Sequence, residues 1–275
     1  METQTRIIDF DEKFYEFMRQ WMAAHPKVTA KQVENRYNEL MAEWIDLPAE
    51  WLDGATPASY FNRYETAEEL MDLLRGYHAA DIGLPEPLYE RIISMGEACR
   101  SPLLAILRDA EQDEALRADA MSLLNGIGGA EEALIDFVLT AEEPNELSDM
   151  AADALTYGNG ACVKRLLKAY PTAPDYAQSL ILDVACNFPG DDRIYTYLIK
   201  RLNNHPDERA MNASLLAKLG DARAVEPMKK MLGFFDLRYL DYIELRDAVE
   251  ALGGDPGSER TFYGDPDFEA LRNLE

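Results

Sequence analysis

Apolar residues recur through most of the chain at the spacing of one helical face. Positions three and four residues apart predict short amphipathic helices. Each helix is too short to be stable alone, and a single pair cannot bury its apolar stripe. We therefore expect an all-α fold in which neighbouring helix pairs pack together. The predicted second helices of four pairs carry the apolar positions Leu134, Phe137 and Val138; Val163, Leu166, Leu167 and Tyr170; Ile194, Tyr197, Leu198 and Leu202; and Val225, Met228 and Leu232.

Residues that end helices divide this pattern at regular intervals. A glycine or proline recurs every 30 to 33 residues, with one apolar residue directly before it and another four residues before it. Because both residue types end helices, one helix of each pair should stop there and a second should begin soon after. This predicts an α-α superhelix of about six helix pairs. The six anchors, as we call them, are Gly96, Gly128, Gly158, Pro189, Gly220 and Gly253.

Two stretches carry a more specific motif. Residues 215–232 read LLAKLGDARAVEPMKKML and contain a Gly-Asp-x-x-Ala-Val-x-Pro core that begins at Gly220. Residues 95–109 read MGEACRSPLLAILRD and place Pro102 where the first stretch has Pro227. Both resemble HEAT repeats of the bacterial PBS-lyase HEAT-like type. The resemblance covers roughly residues 84–254 and implies a HEAT-like solenoid. It implies no single function, because such repeats serve scaffolds, inhibitors and a few enzymes.

The remaining repeats and the two ends depart from this motif. The repeats at Gly128, Gly158 and Pro189 are degenerate, and the last reads FPGDDRIY. We assign residues 1–82 to an N-terminal helical cap, residues 83–254 to the HEAT-like repeats and residues 255–275 to a C-terminal capping tail. Terminal units of a solenoid must cover an exposed apolar face, which is the role expected of both ends.

Capping signals predict the helices of the N-terminal cap. A first helix should cover about residues 10–24 and stop at His25-Pro26, since the residue before proline disfavours helix. Thr29 and Gln32 form a capping box for a second helix, and Thr66 and Glu69 form another. Thr56-Pro57 resembles an N-cap followed by a first-position proline. The second helix should bury one stripe, made of Val33, Tyr37, Leu40, Met41 and Trp44.

The C-terminal tail contains one further helix signal. Asp265 and Pro266 have the residue types of an N-cap and a first helical position. Phe268 and Leu271, three residues apart, should lie on one face and pack this last helix down.

Composition and charge narrow the function classes. Hydrophobic residues make up 47% of the chain, which excludes general disorder. A formal charge of −24 argues against a nucleic-acid binder, because binding phosphates needs a cationic face. No apolar stretch approaches the ~20 residues of a membrane span, and residues 1–20 do not have the composition of a signal peptide. Three widely separated cysteines favour a reduced, cytoplasmic protein.

Candidate chemistry is sparse. The three histidines, His25, His78 and His205, form no metal-binding spacing, so we expect neither a metal nor a cofactor. Cys162 precedes Lys164 and Arg165, a setting that favours a reactive thiolate. Nevertheless Cys99, Cys162 and Cys186 all fall near predicted helix turns, where small apolar residues fit. We expect all three to be structural.

A set of basic residues is the candidate binding site. In a solenoid the second helices of neighbouring repeats line one face, usually the concave one. We predict that seven basic residues form a cationic ridge there and bind an acidic peptide or a terminal carboxylate. An alternative is that they merely complement helix dipoles near C-termini. The residues of this basic ridge are Lys164, Arg165, Lys168, Lys200, Arg201, Lys229 and Lys230.

These observations favour a non-enzymatic protein–protein interaction scaffold or adaptor that uses the concave face. The expected partner is a protein or peptide, with no nucleic acid and no membrane, and the expected state is a monomer or weak dimer. Two alternatives remain open at this point. One is a repeat-built enzyme such as a bilin-lyase-like protein, although no compact catalytic set is visible. The other is an acidic immunity or sequestration protein that masks a basic surface.

Overall fold

A computed structural model describes residues 6–272, in which the regular structure is helical and no β-strand is present. This confirms the all-α class. The chain forms two compact units, the first ending at Ala130 and the second beginning at Glu131. Among the described residues, every helix is too short or too polar to cross a membrane.

The described part of the first unit contains seven α-helices and two short 3-10 segments, Glu50–Leu52 and Pro57–Arg63. Helix α6 packs against α7, while α4 contacts α6 and α5 contacts α7, so neighbouring pairs lie against one another. The seven helices are α1 (Phe10–Ala24), α2 (Ala30–Asn35), α3 (Tyr37–Ile45), α4 (Ala67–Ala79), α5 (Glu86–Met95), α6 (Glu97–Arg108) and α7 (Glu114–Ile127).

The described part of the second unit contains nine α-helices, with 3-10 turns at Tyr170–Thr172, Pro206–Glu208 and Ala222–Ala224. The nine helices are α8 (Glu131–Thr140), α9 (Glu146–Thr156), α10 (Val163–Ala169), α11 (Asp175–Cys186), α12 (Asp192–Asn204), α13 (Arg209–Leu219), α14 (Val225–Leu232), α15 (Tyr239–Ala251) and α16 (Pro266–Arg272).

Capping explains where the first helices begin and end. Asp9 accepts a hydrogen bond from the Glu12 backbone N–H at 2.8 Å and starts α1 at the predicted residue. The predicted second helix is in fact two helices, because Arg36 leaves the helical conformation at φ −105° and ψ 7°. After that break Tyr37 is 40% exposed, so its place in the predicted buried stripe is wrong.

Aromatic side chains build the core beside α1. The Phe10 ring lies 5.6 Å from Trp51 and 5.4 Å from Phe61, measured between ring centroids. Trp44 packs against the same ring in an edge-on arrangement at 6.4 Å. The buried Tyr77 hydroxyl donates a hydrogen bond to the Ile8 carbonyl at 2.9 Å and ties α4 to the segment before α1. Aromatic burial of this kind contributes strongly to a core.

The six anchors lie one to three residues after the end of a helix. Four of the glycines have a positive φ, between 54° and 83°, which L-amino acids with a side chain rarely adopt. At Gly220, which follows α13 directly, the backbone is left-handed. Glycine is therefore needed to end that helix in this conformation. The four glycines are Gly96, Gly128, Gly220 and Gly253.

Helices of the second unit follow one another in two series. The first helices α9, α11, α13 and α15 contact their successors directly. The second helices are joined by side chains: Arg165 of α10 pairs with Asp136 of α8 at 3.0 Å, and the Tyr170 and Tyr197 rings stack at 4.1 Å. Arg223, just before α14, lies 4.1 Å above the Tyr195 ring of α12. Neighbouring helix pairs thus pack in order along the chain.

The last helix is held by one face of aromatic contacts. Asp265 accepts hydrogen bonds from the backbone N–H groups of Asp267 and Phe268, which confirms its predicted capping role. Phe268 packs against Tyr239 at 5.0 Å. Leu271 is 48% exposed, so the prediction that it packs α16 down is wrong. Helix α16 is only seven residues long, and Phe268 supplies its aromatic contacts.

Candidate functional site

The buried positions of α10, α12 and α14 define a common register. The apolar positions predicted for the second helices α8, α10, α12 and α14 are buried, except that Phe137, Tyr197 and Val225 are partly exposed. Corresponding positions in the three helices are Val163, Leu167 and Tyr170; Ile194, Leu198 and Arg201; and Ala224, Met228 and Met231. In this register Lys200 is equivalent to Lys230, and Lys168 is equivalent to Lys229.

Arg201 does not lie on an exposed ridge, because its side chain is only 1% exposed. It occupies the position at which Tyr170 and Met231 are buried. Its guanidinium donates to both Asp175 and Glu208, with N–O distances of 3.0 and 2.6 Å. Burial alone would lower the Arg201 pKa, but these hydrogen bonds outweigh burial and raise it. The side chain is therefore charged and neutralised internally.

Two further members of the basic ridge are held by neighbouring carboxylates. Arg165 donates to both Glu132 and Asp136 on α8, and these hydrogen bonds raise its pKa. Lys229 lies 3.9 Å from Glu226, one helical turn earlier. Both contacts are exposed. Arg165 joins two second helices through two carboxylates, whereas Lys229 makes one long contact within α14 that contributes little.

Four lysines remain available to a ligand, and we call them the lysine face: Lys164, Lys168, Lys200 and Lys230. All four are exposed, and within residues 6–272 none forms a salt bridge. They lie on three successive second helices, α10, α12 and α14. Lys164 also acts on Asp191, whose pKa is lowered to about 2, mainly by hydrogen bonds from Arg193 and in smaller part by the Lys164 charge.

Sequence reasoning missed a cluster of ligand-type side chains around Arg201. One ligand atom each from Asp175, His205 and Glu208 lies within 4.8 Å of the others. Arg201 donates to both carboxylates and supplies the positive charge that they would otherwise draw from an ion. The hydrogen bond from Arg201 also lowers the Asp175 pKa. The α12 register, with residue 201 seven positions after Ile194, was the available sequence signal for this burial.

The cysteines have the environment of structural residues. Cys99 and Cys186 are buried and Cys162 is partly buried, and all three are free thiols. Burial raises the pKa of each thiol, and the pKa of Cys186 reaches about 12. Since the thiolate is the nucleophile, a raised pKa opposes covalent catalysis by these residues.

A histidine–aspartate pair in the first unit was also missed from the sequence. His78 Nε2 lies 2.8 Å from Asp119 Oδ2, although 41 residues separate the two. His78 lines a 480 Å³ cavity together with Arg75, Asp81 and Asp113. The side chains lining this cavity include no serine, threonine, tyrosine or cysteine. The pair therefore orients an imidazole at a surface cavity whose lining side chains include no hydroxyl or thiol nucleophile.

The loops before α12 and α14 border a groove of 410 Å³ in the second unit. Its one lining cation is Arg223, which donates to Asp192 and Asp221 and is neutralised by them. These hydrogen bonds raise the Arg223 pKa. The groove consequently presents carboxylates rather than a free positive charge, unlike the lysine face.

Comparison with known proteins assigns no family to this chain. No protein-family model matches the chain, and no curated protein is significantly similar to it.

Proposed function

We propose that this chain is a non-enzymatic protein-binding module whose lysine face binds an acidic segment of a partner protein. The observation that carries the proposal is the placement of four exposed lysines without salt bridges on three successive second helices. The other basic residues of the ridge already have carboxylate partners. Arg201 is paired in the interior, Arg165 pairs with carboxylates of α8 at the surface, and Lys229 lies near Glu226.

Helix spacing suggests what the partner segment looks like. Packed helices have axes about 8–10 Å apart, and an extended chain rises about 3.3 Å per residue. A segment crossing α10, α12 and α14 would therefore meet the next helix after about three residues. Lys200 and Lys230 occupy equivalent positions, so an acidic residue at every third position places successive carboxylates near them.

The charge of the whole chain shapes the salt dependence of this binding. A net charge of −24 repels an acidic partner at long range, whereas the lysines attract it at contact. Moderate salt screens the long-range repulsion first, because the Debye length falls to about 8 Å at physiological ionic strength. Higher salt then weakens the lysine contacts themselves. Affinity should consequently pass through a maximum as salt is added.

A labelled peptide tests the proposal directly. The probe is a fluorescein-labelled peptide with glutamate at every third position, separated by glycine and serine, and fluorescence anisotropy measures its Kd. The double variant Lys200→Glu with Lys230→Glu should weaken binding by about tenfold, since two attractive contacts become repulsive. A peptide with glutamine in place of glutamate should bind the unsubstituted protein at least as weakly as the glutamate peptide binds the double variant.

The matched control is a double variant that changes the net charge by the same amount at two lysines outside the lysine face. Lys27 and Lys31 are also exposed and, among the described residues, form no salt bridge. Lys27→Glu with Lys31→Glu should leave the Kd within about twofold. Equal loss in the two double variants would show that total charge, not the lysine face, controls binding, and would refute the proposal. So would undetectable binding of the glutamate peptide.

The sequestration alternative predicts the opposite selectivity. An acidic protein that masks a basic surface should bind a lysine-rich version of the same peptide more tightly than the glutamate version. Reversing Lys200 and Lys230 should then strengthen binding. That pattern in the same assay would favour sequestration over the lysine face.

A further inference from the structure

The first unit contains a small cavity lined by apolar side chains and two carboxylates, which we call the aromatic cavity. Its volume is 240 Å³, and it opens between the start of α1, the end of α3 and the segment that leads into α5. The Phe10 and Trp44 rings are 5% and 7% exposed and form part of the wall. The apolar lining residues include Phe10, Met41, Trp44, Ile45, Leu84 and Pro87.

The size of the cavity selects the kind of ligand. Sites for small molecules and cofactors usually measure about 300–1,000 Å³. At 240 Å³ the aromatic cavity is smaller than that range and suits a single large apolar side chain. Aromatic residues are enriched in the buried cores of protein–protein interfaces, so Phe10 and Trp44 also suit contact with a protein partner.

The carboxylates beside the cavity indicate which residues should flank the apolar side chain of the ligand. Asp11 and Glu86 line it, both are exposed, and both lie in the first turns of their helices. Within residues 6–272 neither forms a salt bridge, and the side chains lining the cavity include no lysine or arginine. Two carboxylates without a cation favour a ligand that brings its own positive charge.

We propose that the aromatic cavity receives one apolar side chain of a partner protein segment whose flanking residues are lysine or arginine. The apolar group fills the space over Phe10 and Trp44, and the flanking cations lie over Asp11 and Glu86. This site lies in the first unit and selects basic segments. It is therefore independent of the lysine face in the second unit, which selects acidic ones.

Tryptophan emission reports on this site. Trp44 lines the cavity, and the Trp51 ring stacks on the Trp44 ring with their centroids 6.4 Å apart. The probe is the capped peptide Lys-Lys-Leu-Lys-Lys, which contains no aromatic residue and is titrated into the full chain. Binding should shift the tryptophan emission and saturate. Replacing the central leucine by serine should weaken binding about tenfold or more, because the buried apolar surface is lost.

Paired variants separate the cavity from general charge. Asp11→Asn with Glu86→Gln should weaken the leucine peptide several-fold. The control pair, Glu12→Gln with Glu90→Gln, removes the same charge from exposed positions of α1 and α5 that do not line the cavity, and should change little. Met41→Lys puts a cation into the wall and should abolish binding. Thermal unfolding of each variant verifies that it is folded.

Several results would overturn the proposal. One is the absence of any emission change at peptide concentrations on the order of 1 mM, the limit of weak specific binding. Another is equal affinity for the leucine and serine peptides, which would indicate charge adsorption alone. Equal effects of the two carboxylate pairs, or equal binding of Glu-Glu-Leu-Glu-Glu, would also exclude it. The lysine face is tested separately, with the peptide that has glutamate at every third position. The two proposals can therefore fail independently.

Discussion

Arg201 is a charged residue placed where the neighbouring helix pairs bury Tyr170 and Met231. Its guanidinium is satisfied by two carboxylates that are themselves partly open to water, Asp175 at 64% and Glu208 at 23% side-chain exposure. The aliphatic part of the side chain fills interior space, and the charged end reaches its partners near the surface. One side chain therefore links α12 to the start of α11 and to the turn before α13.

Removing Arg201 should cost more than removing any ridge lysine. Arg201→Ala should lower the free energy of unfolding by about 3 kcal/mol, because it leaves a cavity and two unpaired carboxylates. Arg201→Met should cost less, since methionine refills the volume as Met231 does in the next helix pair. Urea unfolding measures both. Lys200→Ala, one residue earlier and exposed, should change stability by no more than about 0.5 kcal/mol. If Arg201→Ala changed stability as little as Lys200→Ala, that result would contradict the interior position of Arg201.

At the level of elements, glycine conformation and capping set where helices stop and start. Helix α1 and the capping boxes before α2 and α4 follow directly from local sequence. The break at Arg36 does not, because the apolar stripe continues through it. Local rules locate helix ends well when a side chain or glycine makes the cap. They miss an end that lies inside a continuous stripe and has no side-chain cap, as at Arg36.

Two glycines with equal space around them isolate the cost of backbone conformation. A Cβ added at Gly220 or at Gly83 meets no atom within 4 Å, but only Gly220 has a positive φ, of 74°. Gly220→Ala should therefore destabilise the protein by about 1–2 kcal/mol. Gly83→Ala should be neutral or slightly stabilising, because it restricts the unfolded chain. Thermal unfolding in parallel checks the pair. Equal midpoints would mean that the turn after α13 tolerates a side chain.

For the whole molecule, the excess of acidic residues is the dominant electrostatic property. Lys and Arg number 27 against 51 Asp and Glu. Local salt bridges such as Arg165–Asp136 and Arg223–Asp192 use the scarce cations to join neighbouring helices. The remaining carboxylates repel one another and oppose the compact state.

Salt should therefore stabilise this protein. Raising the ionic strength from about 10 mM to about 150 mM shortens the Debye length from roughly 30 to 8 Å and screens the repulsion. The thermal midpoint should rise by a few degrees, as calorimetry or circular dichroism would show. The double variant Lys27→Glu with Lys31→Glu should show a larger rise, because it adds negative charge. A midpoint that falls with salt would mean that salt bridges outweigh repulsion.

The sequence by itself determined the helical class, the helix ends at the anchors and most of the buried stripes. These features depend on contacts within a few residues, which local patterns record. The tertiary structure alone decided that the buried Arg201 meets Asp175 and Glu208 and that Arg165 reaches the previous second helix. It also decided that His78 meets Asp119 and that Phe10 and Trp44 line a cavity. Such contacts join residues far apart in sequence, and their geometry depends on how whole helices pack, so no local periodicity encodes them.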